Sequence, residues 1–414
     1  METEQQPSRK RRLRVKNVQL ESYTDEELAY YNKLGPDEQT NIAKLEKKML
    51  DMSDSAIPAR FKVLQSPIDD KIKSIAMSKL DELSSLCTSS GEYYKINHYM
   101  QSLCRIPFGK YQSLPVTKGN REESKEFISK IKHSLDDKVY GHTSAKDQII
   151  RLLAQWISNP ESKGLVIGIQ GSMGTGKTTL IKDAICEALG LPFAFVPLGG
   201  VSDGSFLVGH GYTYEGSTWG KIVDILMRCE CMNPVFFFDE LDKVSCTHHG
   251  DEIINILIHM TDAIQNAHFH DKYFSNLEFD LSRSLIIFSY NEESNIHPVL
   301  KDRMVRINTA GYKLDDKIAI CEKHMINSVL HEFGFPEGHV IFSKEILKEI
   351  IGTVETEEGV RNLRRALHDI ISNINLTLLL EENMDNKPVQ VTSKHVHKFL
   401  PKSKDDSAYK MMYM

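Results

Sequence analysis

The chain has 414 residues, 41% hydrophobic and 26% charged, enough for two or three domains with ordinary cores. Its 51 basic and 57 acidic side chains leave a formal charge of −6, so no global positive field marks it as a nucleic-acid binder. No apolar run approaches the roughly 18 residues of a membrane helix, and seven irregularly placed cysteines point to a reducing, intracellular and cytoplasmic setting rather than a disulfide framework.

Residues 1–22 read as a polar tail carrying the basic run Arg9–Lys16. No apolar stretch follows that run, so it is not the start of a signal peptide. It suits nuclear import, contact with acidic surfaces such as nucleic acid, or simply a solvated tail. Residues 23–125 read as a helical amino-terminal region and linker. Ile42, Leu45 and Met49 recur at helix-face spacing, and a second periodic run spans Ile72–Leu86. Prolines 58, 67, 107 and 115 punctuate the segments, and polar Thr117–Lys125 makes a linker. No catalytic constellation occurs here; the helices either meet partners or act as spacers.

Over residues 126–310 short apolar runs alternate with helical stretches. The expected strands are Leu165–Gln170, Phe193–Pro197, Val235–Phe238 and Leu285–Ser289. That alternation predicts an α/β domain with a parallel sheet covered on both faces. Residues 311–402 read as a helical domain with helices Leu314–Phe333, Lys344–Ile351, Gly359–Leu380 and Ser393–Leu400, and a short extended piece at Pro388–Val391. Residues 403–414 form a tail.

Two motifs carry chemistry. Gly171-Ser172-Met173-Gly174-Thr175-Gly176-Lys177-Thr178 fits G-x-x-x-x-G-K-[ST], between an expected strand and an expected helix, with Thr179 beside it. Its glycines let backbone N–H groups turn around phosphate oxygens at a helix N-terminus. Lys177 suits the β- and γ-phosphates of ATP, and the Thr178 hydroxyl suits Mg²⁺. Some 60 residues on, Val235-Phe236-Phe237-Phe238-Asp239-Glu240 places two carboxylates at the end of a buried strand, where open α/β sheets bind ligands. Asp239 suits Mg²⁺ through its water shell, and Glu240 suits orienting and polarising the attacking water. Cys229, Cys231, His248, His249, His268 and His270 lack the paired spacing of a structural zinc site and read as ordinary residues.

With these motifs in place the chain resembles the AAA+ ATPases, and more narrowly the ATPase part of the Lon proteases. The resemblance rests on Leu198–Asp203, Gly209-His210, Asn233-Pro234, Asp239–Lys243, Leu300–Met304 and Glu358–Leu363, and it covers about residues 95–400. It implies an AAA+ core at 126–310 and a helical lid at 311–402. It implies that Asn291 is the sensor-1 residue placing the attacking water. It makes Arg303 an arginine finger reaching the γ-phosphate of the neighbouring subunit, and Arg361 the sensor-2 arginine of the lid. Tyr140-Gly141 fall where the family contacts adenine, although a core tyrosine would look the same. Tyr214-Glu215 fall at the family's pore loop, but Glu215 stands where an aliphatic residue is usual. A carboxylate there cannot offer the same apolar grip.

Lon proteases continue into a domain with a Ser–Lys dyad. This sequence ends at Met414 with no such pair after Leu400, so no peptidase activity is expected of it. The expectation is a Mg²⁺-dependent, ring-forming ATPase, most simply a homo-hexamer, that remodels a protein client, with a separate protease as a further partner. Stand-alone Lon-like ATPases of this build occur in large DNA viruses. The rival expectations are a nucleic-acid motor using Arg9–Lys16, and a nucleotide-gated scaffold that binds ATP with little turnover.

Overall fold

Four consecutive residues with no solvent exposure, Val235, Phe236, Phe237 and Phe238, define the centre of the fold. Such a run is compatible with a strand only where both sheet faces are covered. A computed structural model of the chain describes residues 23–53, 57–113, 115–116, 121–159, 165–214, 216–245, 247–380 and 388–400. The chain divides into two compact units, residues 1–104 and 105–414. The tails at 1–22 and 403–414, and Glu215, lie outside the described residues.

In the first unit the described residues form the helices Asp25–Tyr31, Pro36–Ser53, Ala59–Gln65, Asp70–Ser85 and Gly91–Leu103. Local chemistry explains their starts. Thr24 and Glu27 form a reciprocal capping box, Asp69 accepts from Lys71 N at 2.8 Å, and the Ser90 hydroxyl accepts from Tyr93 N at 3.1 Å. The buried set is small: Val63, Ala76, Ile96, Tyr99, Met100 and Leu103. Leu45, on the face picked out by periodicity, is half exposed, as are Phe61 and Leu64.

The second unit opens with residues 105–116, which lie along its α/β core. Gln112 and Asn233 exchange hydrogen bonds at 2.8 Å each way, Lys110 O accepts from Met232 N at 2.8 Å, and Phe108 stacks on Phe279. The core itself is a five-stranded, all-parallel sheet. Its strands are β1 (Val166–Gln170), β2 (Phe193–Pro197), β3 (Val235–Asp239), β4 (Leu285–Tyr290) and β5 (Val305–Asn308), in the order β2-β3-β4-β1-β5. The α/β expectation holds, and the four expected strands are present. The fifth, β5, escaped the sequence because an edge strand need not be apolar: Val305 and Arg306 are exposed and only Ile307 is buried.

Helices Arg121–Lys138 and Thr143–Ser158 seat Phe127, Ile131, Leu135, Ile149 and Leu153 against β1, β3 and β4. Each large side chain of this kind contributes roughly 1.5–3 kcal/mol through burial. The expected carboxy-terminal helices appear at Leu314–Ile320, running through a wider-wound Cys321–Met325 into Ile326–Glu332, and at Lys344–Thr353, Arg361–Leu380 and Ser393–Phe399. They enclose their own core around Val329, Leu347, Leu367, Ile370 and Val396. The expected extended piece pairs as Val389–Gln390 with Val340–Ile341.

Candidate nucleotide site

Because β1, β3 and β4 are parallel and adjacent, their carboxyl ends present Gly171, Asp239-Glu240 and Tyr290-Asn291 along one edge of the sheet. There they border a cavity of about 290 Å³, lined by residues 173–179 with Asp239, Glu240, Ser289, Tyr290, Asn291 and Arg361. Most of the sequence-derived site residues therefore converge on one space. Gly171 and Ser172 lie at its margin through the loop they begin.

Lys177 stands at the first turn of the helix that follows this loop. Its Nζ donates to Asn291 Oδ1 at 2.8 Å and to the Gly171 carbonyl, with the Ser172 and Tyr290 carbonyls each 3.5 Å away. Burial pushes its pKa down, while the charges of Asp239, Asp242 and Glu240 act in the opposite direction. An ammonium ringed only by oxygens, three of them backbone carbonyls, is poised to take anionic oxygens in their place. A Mg²⁺ ion fits the remaining donors: the Thr178 hydroxyl and the Asp239 carboxylate both face the cavity.

Asp239 and Glu240 are fixed by Ser289, a polar residue inside the otherwise apolar β4. Its hydroxyl donates to Asp239 Oδ1, and its oxygen accepts from Glu240 N at 3.4 Å. Glu240 itself adopts a left-handed backbone, φ 59°, at a cost on the order of 1–3 kcal/mol for a non-glycine residue. The residue borders the cavity, and its carboxylate packs against Gly199. Buried Asp242 accepts from Glu292 N at 3.2 Å and so ties the loop carrying Asn291 to the end of β3.

The lid meets the loop through one backbone bond and one side-chain bond. Val360 N donates to Gly174 O at 3.2 Å, and Ser172 Oγ donates to Glu358 Oε2. A Cβ on Gly174, at φ 79°, would sit 2.9 Å from Arg361 N, so only glycine permits this approach. Arg361, at the start of the long lid helix, thereby reaches the cavity with Nη1 3.9 Å from Met173 Sδ.

Residues 167–312 match the AAA family, the ATPase family associated with various cellular activities. The chain is 40% identical over 260 residues to a Lon protease homolog of Acanthamoeba polyphaga mimivirus, covering 63% of this chain and 25% of that protein. It is 32% identical over 323 residues to Lon protease 2 of Bdellovibrio bacteriovorus, covering 78% of this chain and 39% of that one. To the Lon protease of Halothermothrix orenii it is 32% identical over 353 residues, covering 85% and 43% respectively. Residues 167–312 thus carry an AAA domain, and over a longer stretch the chain is similar to Lon proteases. It spans between 25% and 43% of the length of these three relatives.

Not every expected residue of the AAA module lines the cavity. Tyr140 and Gly141 lie beside the loop instead, where Tyr312 joins them to it. The Tyr312 hydroxyl donates toward Thr175 O at 3.0 Å, with Tyr140 O at 3.4 Å, and His142 Nε2 lies 2.9 Å from the same hydroxyl. Arg303 is not at the cavity of its own module. Its guanidinium pairs with Asp262 at 2.8 Å and donates to the Ile258 carbonyl at the end of helix His248–Thr261. Tyr214 sits on a loop, 70% exposed. Residues that sequence reasoning missed are Ser289, Asp242, His142, Tyr312 and Glu358. Ser289 had a visible signal in the hydroxyl closing the apolar run Leu285–Phe288, and Asp242 and Glu358 lie in segments that carry the family resemblance but were given no role.

Proposed function

We propose that this chain hydrolyses ATP to ADP and phosphate and uses the cycle, in a ring of identical subunits, to remodel or unfold a protein client. The observation that carries the reading is the convergence of Lys177, Asp239, Glu240, Asn291 and Arg361 on one cavity while Arg303 stands outside it. Lys177 and the backbone amides of residues 174–176 bind and orient the phosphates. Thr178 and Asp239 would hold Mg²⁺, whose charge offsets that of the phosphate oxygens. Glu240 orients the attacking water and accepts its proton as the oxygen closes on the γ-phosphorus, with Asn291 fixing the water's other side. Arg361 contributes positive charge from the lid of the same subunit.

Arg303 supplies charge to the phosphates of a neighbouring subunit, an arrangement that makes hydrolysis depend on assembly. A six-membered ring is the assembly we propose. Exposed Tyr214 is the group that takes hold of the client polypeptide. Cys87, Cys104, Cys186, Cys229, Cys231 and Cys321 are all free thiols, which supports a reducing intracellular setting. Among the described residues no helix is long and apolar enough to cross a membrane.

Steady-state ATP turnover of the wild type and of Glu240→Gln, with and without an unfolded protein, tests this reading. Turnover that collapses in the variant and rises with unfolded protein in the wild type supports it. A wild type that binds ATP but turns over no faster than Glu240→Gln would sink it in favour of a nucleotide-gated scaffold.

A further inference from the structure

The loop that carries Tyr214 leaves the core at Gly209 and returns to it at Gly220, and the two glycines touch. A Cβ on Gly209, at φ 72°, would lie 2.7 Å from both Gly220 N and Thr218 O, and one on Gly220 would lie 2.1 Å from Leu207 O. His210 N donates to Thr218 O at 3.1 Å across this neck. Beyond it the chain turns on short bonds of its own, Tyr214 N to Gly211 O at 3.1 Å and Ser217 N to Tyr214 O at 3.3 Å. The exposed ring therefore rides on a short stalk whose direction is set at the neck.

One buried carboxylate closes that neck. Asp271 has no solvent exposure, and it is not part of the ATP cavity. Its Oδ2 accepts from Gly220 N at 2.8 Å, while its Oδ1 accepts from Tyr273 N at 2.8 Å and Phe274 N at 3.2 Å. One oxygen thus serves the base of the loop and the other serves a separate turn. Lys272 N adds a bond to Val208 O at 2.7 Å, and Trp219 packs on both Tyr273 and Phe274 with ring centroids 5.9 and 6.4 Å away. A carboxylate withdrawn from water costs several kcal/mol unless its acceptors are filled, so a site with three aligned N–H donors is a built one.

We propose that Asp271 is the positioning residue of the Tyr214 loop. By holding Gly220 N it fixes the neck, and the neck fixes the posture in which Tyr214 takes hold of an extended, unfolded polypeptide. Asp271 does not touch the client; it acts through Gly220. The proposal rests on the polypeptide-handling reading given above.

Asp271→Asn separates the two jobs of the side chain. The amide oxygen still serves Tyr273 and Phe274, but the NH₂ group then faces Gly220 N–H, donor against donor. ATP turnover is measured against increasing concentrations of casein as the unfolded probe, with amide hydrogen exchange followed on the same protein. In Asp271→Asn the casein concentration for half-maximal stimulation should rise at least about tenfold, and Gly220 N should exchange faster while Tyr273 and Phe274 keep their protection. His210→Pro breaks the neck's other bond without touching Asp271 and should shift the casein response the same way, which carries the test if Asp271→Asn does not fold. An unaltered casein response in either folded variant overturns the proposal. Tyr214→Ala separates the two layers. If it loses the casein response while the neck variants keep it, only the role of Asp271 falls. If it responds like the wild type, or if the wild type shows no stimulation, the polypeptide reading falls and Asp271's role with it.

Discussion

The α/β core and the amino-terminal helical unit contain helices of similar length, yet they bury their apolar residues very differently. In the core, helices cover a sheet whose central strands β1, β3 and β4 are almost wholly dry, and aromatic rings stack through it at Phe236, Phe238 and Phe288. In residues 23–104 the dry set is confined to a few side chains around Tyr99 and Met100, while Leu45, Phe61, Leu64 and Tyr94 remain open. A dry, rigid platform can hold polar groups in hydrogen-bonded pairs at one sheet edge, as it holds Lys177 with Asn291 and Asp239 with Ser289. A loosely packed helical unit cannot, but it leaves apolar surface free for contacts. Precise chemical geometry therefore belongs to the dry sheet, whereas exposed apolar side chains such as Phe61 and Leu64 belong to the helical unit.

The largest expected effect lies in the core's site. Glu240→Gln and Arg303→Ala should each lower ATP turnover about a thousandfold, and Lys177→Ala should abolish nucleotide binding. A mixing experiment sharpens the point: Glu240→Gln and Arg303→Ala subunits, each inactive alone, should recover part of the turnover when assembled together. Absence of any recovery would place Arg303's action inside its own subunit. Next in size, Phe237→Ala at the fully buried centre of β3 should cost about 3–5 kcal/mol in a denaturant or thermal melt.

A smaller effect separates the regions by pH. Burial raises the Asp271 carboxyl from 3.8 to about 6, so the folded core binds a proton that the unfolded chain does not over that interval. The stabilisation this proton gives, about 3 kcal/mol, is fully present below about 4 and is lost as pH rises through about 6. Comparing melts of Asp271→Asn and the wild type between pH 4 and pH 7 should show that part of the slope missing from the variant. The smallest effect is Leu45→Ala, which at half exposure should change stability by no more than about 0.5 kcal/mol. A loss of several kcal/mol there would mean that this helix face is covered in solution.

The phosphate loop, Asp239-Glu240 and the strands β1 to β4 were legible because each is local: a glycine spacing, an apolar run, a carboxylate at its end. The lid helices were legible for the same reason, through their periodicity. What stayed hidden depends on pairing across the fold. Nothing near Ser289 in sequence says that it faces Asp239, and nothing near Glu358 says that Ser172 lies against it. Strand β5 is short and wet on one face, so it has neither the apolar run nor a clean alternation. Periodicity found the helix Pro36–Ser53 but could not say that Leu45 would stay open, since a helix face reads alike whether or not anything covers it.

Strand β5 also sets a mechanical relation between two places that are distant in chemistry. It begins just after Arg303 and runs straight into Thr309, which bonds Gln170 O through both its amide and its hydroxyl at 2.8 Å, and then into Tyr312 beside the phosphate loop. At about 3.3 Å per residue the strand from Val305 to Asn308 spans roughly 10 Å. Its register against β1, Ile167 to Val305 and Gln170 to Asn308, cannot slip by a fraction of a residue without breaking the ladder. The strand therefore holds the residues at its two ends to one sheet at a fixed spacing, and inserting a single residue into it would put both ends out of register together.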